Sequence, residues 1–348
     1  MNETEGGDRM KKRKLAILFV AALSAAVMAG CSKGQEMAEK EVETAEETVS
    51  EGETEKGIER SEDEDAENYE TGDASLDNVR NQDQIGENEL LVVSFGTSYN
   101  DSRRLTIGAI ENALEETFPD YSVRRGFTSQ MIIDHIQSRD HVSIDNVGQA
   151  LDRAVDNGVK NLVIQPTHLM NGLEYTDLVN KAAEYSDSFE KVAVGEPLLT
   201  SDEDFKAVIE AITEATAEYD DGKTAICFMG HGTEADSNKV YAKMQEMIKA
   251  EGFDNYFVGT VEAEPTLEDV LKDVQAGEYK RVVLEPLMIV AGDHANNDMA
   301  GDEDGSWKKT FEDAGYEVTC LVRGLGEMEK IQQLFAEHAQ AAMDSLTQ

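Results

Sequence analysis

The sequence predicts an α/β fold: two similar Rossmann-like lobes, each on a parallel four-stranded sheet, preceded by a disordered acidic tether. Three observations predict it. Eight short apolar runs between residues 89 and 348 alternate with segments of helical periodicity. The runs are continuously apolar rather than alternating, as expected for strands buried on both faces. The first four runs are also echoed by the last four. Gly96 and Gly230 close equivalent first runs, Thr128 and Glu262 follow equivalent second runs, and both pairs stand 134 residues apart.

Taken in chain order, residues 10–14 are basic and residues 15–29 form an apolar stretch too short to span a bilayer comfortably. Together they read as a secretory signal. It ends in Val27-Met28-Ala29-Gly30-Cys31, where small residues before a cysteine resemble a bacterial lipobox. Cys31 is therefore the expected lipidation site, placing the protein outside the cell, lipid-anchored to the outer face of the bacterial membrane. Glu3, Glu5 and Asp8 suit a signal poorly, so Met10 competes with Met1 as the start. Residues 32–88 hold 20 acidic and 5 basic side chains with no apolar periodicity. Such a segment cannot offset its ordering entropy by burial and is expected to be a disordered linker.

The first lobe is expected over residues 89–220 and the second over 221–348. Strand runs fall at 89–95, 121–127, 160–165 and 191–195, then at 223–229, 255–261, 280–285 and 316–322. Ile107, Ile110 and Leu114 mark the first helix of one lobe, and Val240, Met244 and Met247 that of the other. A longer helical segment around 137–157 shortens the repeat offset to 120 by the third strand. Terminal helices are expected at about 202–218 and 328–345.

Charge narrows the function classes. The chain carries 31 Lys plus Arg against 72 Asp plus Glu, a net charge of -41. Nucleic acid is excluded, because phosphates need clustered cations. Electrostatic docking on anionic lipid is excluded on the same ground, so membrane contact falls to the lipid anchor alone. Three cysteines build no disulfide framework, and Cys227 and Cys320 fall within strands as small core residues.

In parallel sheets the loops at the carboxyl ends of the strands form the binding crevice. Three metal-type residues occupy those loops in the second lobe. His231 follows its first strand, Glu262 its second, and His294 lies after its third. Two imidazoles and a carboxylate suit a first-row divalent metal such as cobalt, nickel, iron or zinc, whereas calcium or magnesium would prefer oxygen ligands. Counted from Pro166 and Pro286, Glu174 is the repeat equivalent of His294 and would face the second lobe. His168 lies on the same loop, with a structural role as open as a supporting one. His135, His141 and His338 fall on helices or their ends and read as non-functional.

These residues carry a family resemblance. Residues 89–348 resemble the anaerobic sirohydrochlorin cobalt chelatases, class II chelatases with a ferrochelatase-like fold. The matching segments are residues 93–98, 166–175, 228–232, 258–262 and 287–298, which cover the strand ends around the cleft. The resemblance implies that His231, Glu262 and His294 hold the metal. It implies catalytic roles for His231, as proton acceptor, and for Glu174, facing the macrocycle. Glu264 competes with Glu262 as the carboxylate ligand, because a glycine is expected after Glu262 where Ala263 stands. The implied substrates are a tetrapyrrole and Co2+, with Fe2+ or Ni2+ also accepted by this ligand set. The implied activity is that of a metal chelatase of the lyase class, serving cobalamin-type biosynthesis.

Insertion of a divalent metal into a tetrapyrrole expels two pyrrole protons, so a base must stand close by, and neutral imidazole suits that task. The polycarboxylate macrocycle conflicts with the net charge of -28 on residues 89–348. Local compensation is expected from the backbone N–H groups of Gly96, Thr97 and Ser98 and from Arg103, with Arg104 beside it. Two other classes stay open: an exported metal- or haem-binding lipoprotein without insertion activity, and a two-lobed solute-binding lipoprotein. Homo-oligomerisation is left open.

Overall fold

The structure, a computed structural model, describes residues 71–346. The expectations for residues 1–31, Cys31 included, and for the tether up to residue 70 lie outside the described residues. Among the described residues no helix is long and apolar enough to cross a membrane.

Eight strands form two parallel sheets. The first holds β1 (Asn88–Ser94), β2 (Ser122–Phe127), β3 (Asn161–Pro166) and β4 (Lys191–Val194) in the order β2-β1-β3-β4. The second holds β5 (Thr224–Gly230), β6 (Tyr256–Thr260), β7 (Arg281–Pro286) and β8 (Glu317–Cys320) in the order β6-β5-β7-β8. The two topologies are the same, and each order reverses beside its first strand. The carboxyl-end crevice therefore opens between β1 and β3 in one lobe and between β5 and β7 in the other.

Alternate residues of each central strand serve different cores, which is why the strands read as continuously apolar. Leu91 and Val93 pack outward with Leu151, Ala154 and Leu178. Leu90 and Val92 belong to a central core that also contains Ile226, Phe228 and Val258 of the second sheet. Helices α6 (Asp202–Ala215) and α10 (Glu329–Ser345) lie in this shared core through Phe205, Ile209, Phe335 and Ala339.

Three expectations need correction. First, the boundary at 220/221 does not divide the molecule in space. Helix α10 packs on β3, β4 and α2 (Ile107–Thr117) of the first lobe, because its Ile331, Leu334 and Phe335 join the central core. Second, the helical segment around 137–157 is two helices, α3 (Gln130–Asp140) and α4 (Val147–Asp156). His141 ends α3 in the left-handed conformation, and Asn146 with Gln149 opens α4 through a capping box. Third, residues 71–88, expected as linker, are packed onto the first lobe. Asp77 lies 2.7 Å from Arg103 and 2.6 Å from Arg125, with all three side chains buried. Arg80 reaches buried Glu111 at 3.3 Å. These contacts are ionic, so apolar periodicity carries no trace of them. Burial pushes the Asp77 carboxyl up, but Arg125 and Arg103 prevail and hold it below its ordinary value.

Candidate metal centre

The second lobe builds the centre from glycine turns. Strand β5 ends at Gly230, where an added Cβ would lie 2.1 Å from the Tyr241 ring. His231 thus leaves the sheet where no larger residue fits. Gly232 follows with φ +91°, and its N–H donates to Tyr241 Oη at 3.3 Å. The loop after β6 is bound directly to this turn, since the Glu262 N–H donates to the His231 carbonyl at 2.9 Å. Residue Glu262 is brought beside His231 by the backbone rather than by its own side chain. His294 opens a short π-helical turn, Ala295–Met299, in the loop after β7.

The ligand atoms of His231, Glu262 and His294 all lie within 4.8 Å of one another. The two imidazole rings meet edge to face with centroids 4.6 Å apart. Each ring has one nitrogen already engaged. His231 Nδ1 stands 2.8 Å from the Gly232 carbonyl, which can only accept, so Nδ1 carries the hydrogen, and in the neutral ring Nε2 keeps its lone pair. His294 Nδ1 stands 2.7 Å from Asp298 Oδ2. That bond raises the His294 pKa above its ordinary value, while burial works against the rise. The His231 side chain is 47% exposed and that of Glu262 54%, so the centre is open on one side. Two imidazoles, one carboxylate and an open side fit a divalent ion that must be both held and released.

Glu264 is not part of this cluster; its backbone carbonyl accepts from Asn238 Nδ2 at 2.6 Å. Neither is Glu174, which is exposed in the first turn of α5 (Leu173–Glu184). The start of α5 nevertheless lies against the second lobe: a Cβ on Gly172 would come 3.7 Å from Ser237 Oγ, six residues beyond His231. A second crossing supports the metal loop itself. The Ala291 N–H donates to Ser102 Oγ at 3.0 Å, and a Cβ on Gly292 would come 3.2 Å from Thr97 Oγ1.

Among the expected macrocycle contacts, Gly96 has φ +103° and sits against Phe127, while Thr97 and Ser98 are buried. Arg103 requires correction. It is fully buried and donates to Asp77, to the Thr97 carbonyl at 3.1 Å and to Asn100 Oδ1 at 2.5 Å, so it cannot meet a substrate carboxylate. Its role is to hold the turn containing Thr97. Arg104 is more exposed and pairs with Asp101 at 3.3 Å. Both His168 ring nitrogens are buried without a hydrogen-bond partner, and burial lowers its pKa to about 4. Asp298 is the partner of His294 that spacing could have revealed, since it stands four residues after it on the same turn.

Two parallel lobes of like topology, with a His-Glu-His cluster at one carboxyl edge, define a protein of the metal-chelatase class. Comparisons make the class specific. The family model described as cobalt chelatase (CbiK) matches residues 88–344, and the chain belongs to that family. It is 37% identical over 255 residues to the sirohydrochlorin cobaltochelatase of Salmonella typhimurium, covering 73% of this chain and 96% of that one. It is 29% identical over 276 residues to the sirohydrochlorin cobaltochelatase CbiKC of Nitratidesulfovibrio vulgaris, covering 78% and 97%. In fold it resembles SirB from Bacillus subtilis with Fe3+, with a TM-score of 0.51 at 13% identity over 76% of this chain and 98% of that one.

Proposed function

We propose that this protein is a sirohydrochlorin cobaltochelatase, a lyase that inserts Co2+ into the tetrapyrrole with release of two protons. The observation that carries the reading is the cluster of His231, Glu262 and His294 at the edge of the second lobe, with the Nε2 lone pair of His231 uncommitted by hydrogen bonding. The cluster receives Co2+ from solvent. The macrocycle enters between the lobes, against a first-lobe edge where Phe95, Met131 and Leu173 are exposed, just after β1 and in the first turns of α3 and α5. Such apolar surface suits the faces of a flat ring. His231 cannot be ligand and base at once through the same lone pair. Proton acceptance therefore follows its release of the metal: Nε2 takes one pyrrole proton, passes it to solvent through the open side of the centre and then takes the second, and the pyrrole nitrogens replace the protein ligands as their protons leave. Glu174, on the opposite lobe, serves the macrocycle rather than the resting metal. The relatives' names support cobalt and sirohydrochlorin as substrates.

The signal segment and Cys31 support an exported, lipid-anchored protein. Cys31→Ser is expected to abolish lipid labelling and release the protein from membranes. The activity is tested by following the absorption of sirohydrochlorin with the full chain and Co2+, Fe2+ or Ni2+ in turn. Insertion of Co2+ is the expected result. Metal binding without insertion would favour the metal- or haem-binding alternative, and faster insertion of Fe2+ or Ni2+ would reassign the metal.

A further inference from the structure

The two histidines of the metal centre differ in what stands behind them. His231 Nδ1 is hydrogen-bonded to a neutral backbone carbonyl at 2.8 Å, with the carboxylate of Glu262, itself a proposed ligand, farther off at 3.6 Å, whereas His294 Nδ1 is hydrogen-bonded to a carboxylate oxygen of Asp298 at 2.7 Å. We infer that Asp298 is the positioning residue of the centre: by accepting the Nδ1 hydrogen of His294 it fixes the ring so that Nε2 points its lone pair at the metal, and makes His294 the stronger of the two imidazole ligands. This rests on the proposed metal-holding role of the cluster and deepens it.

The fold gives Asp298 a fixed station. The turn that carries it is pinned from below by Ala295 and Met299, both fully buried. Asn296 Nδ2 donates to the Gly292 carbonyl at 2.8 Å, and the Gly301 N–H donates to the Asn297 carbonyl at 3.0 Å. Only glycine fits at 301, where a Cβ would come 2.3 Å from that same carbonyl oxygen. The Asp298 carboxylate is thus delivered to Nδ1 by backbone geometry, and the bond is available before any metal arrives. A hydrogen bond from Nδ1–H to a carboxylate increases electron donation from Nε2, and such partners typically change metal affinity by roughly 10–100-fold. A neutral carbonyl polarises the ring less, so the structure separates a ligand that keeps the metal, His294, from one that yields it, His231.

The test is Co2+ binding to the whole protein without tetrapyrrole, by competition with a chromophoric chelator. Asp298→Ala should weaken Co2+ binding by roughly 10–100-fold. Asp298→Asn should fall between the alanine variant and the parent, because an amide oxygen can still accept from Nδ1–H but carries no charge. The visible spectrum of bound Co2+ should shift in both variants, a change that a merely structural role would not produce. In the insertion assay the loss should appear in KM for Co2+, with kcat little changed at saturating metal. Asp313→Asn, at an exposed carboxylate beyond the metal loops paired with Lys309, is the control for lost charge and should bind like the parent. The inference is overturned if Asp298→Ala binds Co2+ like the parent while His294→Ala does not. If His294→Ala also retains parent affinity, the metal-site reading itself fails. If the alanine variant does not fold, weaker binding by Asp298→Asn with an unchanged circular-dichroism spectrum still carries the inference, and parent-like binding overturns it.

Discussion

A single side chain can carry two duties at this centre, and His231 is the example. His231→Ala removes both a metal ligand and the proposed base. Insertion should fall by roughly 10²–10⁴-fold, as expected for a lost general base. Glu262→Gln should weaken metal binding and leave the base intact. Glu174→Gln should keep metal affinity and lower turnover, because Glu174 lies outside the ligand cluster. Full turnover by His231→Ala would remove it from both roles. Buried carboxylates give a second test at this scale. Glu89 on β1 is fully buried, with Oε1 3.4 Å from Arg124 and Oε2 without a partner. Burial raises its pKa from 4.5 to about 7, although Arg124 pulls the other way. Between those values the native state keeps a proton that the unfolded chain has released. Stability from this group is therefore present at acid pH and falls by about 1.4 kcal/mol for each pH unit across that window, until pH passes about 7. Glu89→Gln should relieve this, since Arg124 retains Asp145 at 3.1 Å. The gain in Tm over the parent should grow from about pH 5 to about pH 8. A gain that shrinks over that range would show that ionised Glu89 is stabilising.

Among the elements, the segment 71–88 departs furthest from what the sequence predicts. Its composition is that of a linker, and it is joined to the lobe by buried ion pairs and by hydrogen bonds, with Ile85 packed against an apolar core. Asp77 is the centre of those bonds, facing Arg103 and Arg125 at once. Asp77→Ala should cost about 3–5 kcal/mol, because it leaves buried guanidinium groups short of a partner. Arg125 still has Glu111 at 2.7 Å, so the larger disturbance should fall on Arg103 and on the turn whose Thr97 carbonyl it holds. A thermal unfolding curve matching the parent would mean that the segment is only laid on the lobe. Most strands were legible because both faces of each sheet are covered, so their runs are largely apolar; β2 instead buries Arg124 and Arg125 against carboxylates. The ligand cluster was legible because strand order brings loop ends together: β5, β6 and β7 are neighbours, and so are His231, Glu262 and His294. Arg103 was misread because a helix-start arginine looks the same in sequence whether it faces solvent or a buried aspartate far upstream. Likewise nothing in the amphipathic pattern of α10 says which lobe it covers.

At the scale of the whole molecule, charge is divided between the two faces of the cleft. The second-lobe loops 231–238, 261–266 and 287–306 contain nine acidic side chains and no lysine or arginine. The first-lobe loops 95–99, 128–129 and 167–172 contain neither acids nor lysine or arginine, and the carboxylate of Glu174 follows only at the start of α5. A cation approaching the second lobe meets an attractive field around the His-Glu-His cluster, whereas a polycarboxylate macrocycle is repelled from that side and tolerated at the first lobe. The division answers the conflict between an acidic protein and an acidic substrate without a cationic patch. It keeps the macrocycle's carboxylates away from the metal loops while leaving its apolar face free to meet Phe95, Met131 and Leu173. Salt should therefore act on the two substrates in opposite directions. Raising ionic strength from about 0.01 M to about 0.15 M shortens the screening length from about 30 Å to about 8 Å. KM for Co2+ should rise as steering weakens, and KM for the tetrapyrrole should fall as repulsion is screened. Steady-state insertion rates at both ionic strengths, with each substrate varied at saturating levels of the other, decide the matter. If both KM values move the same way, the field is not divided between the lobes, and the affinity for the polycarboxylate must come from cations elsewhere on the protein.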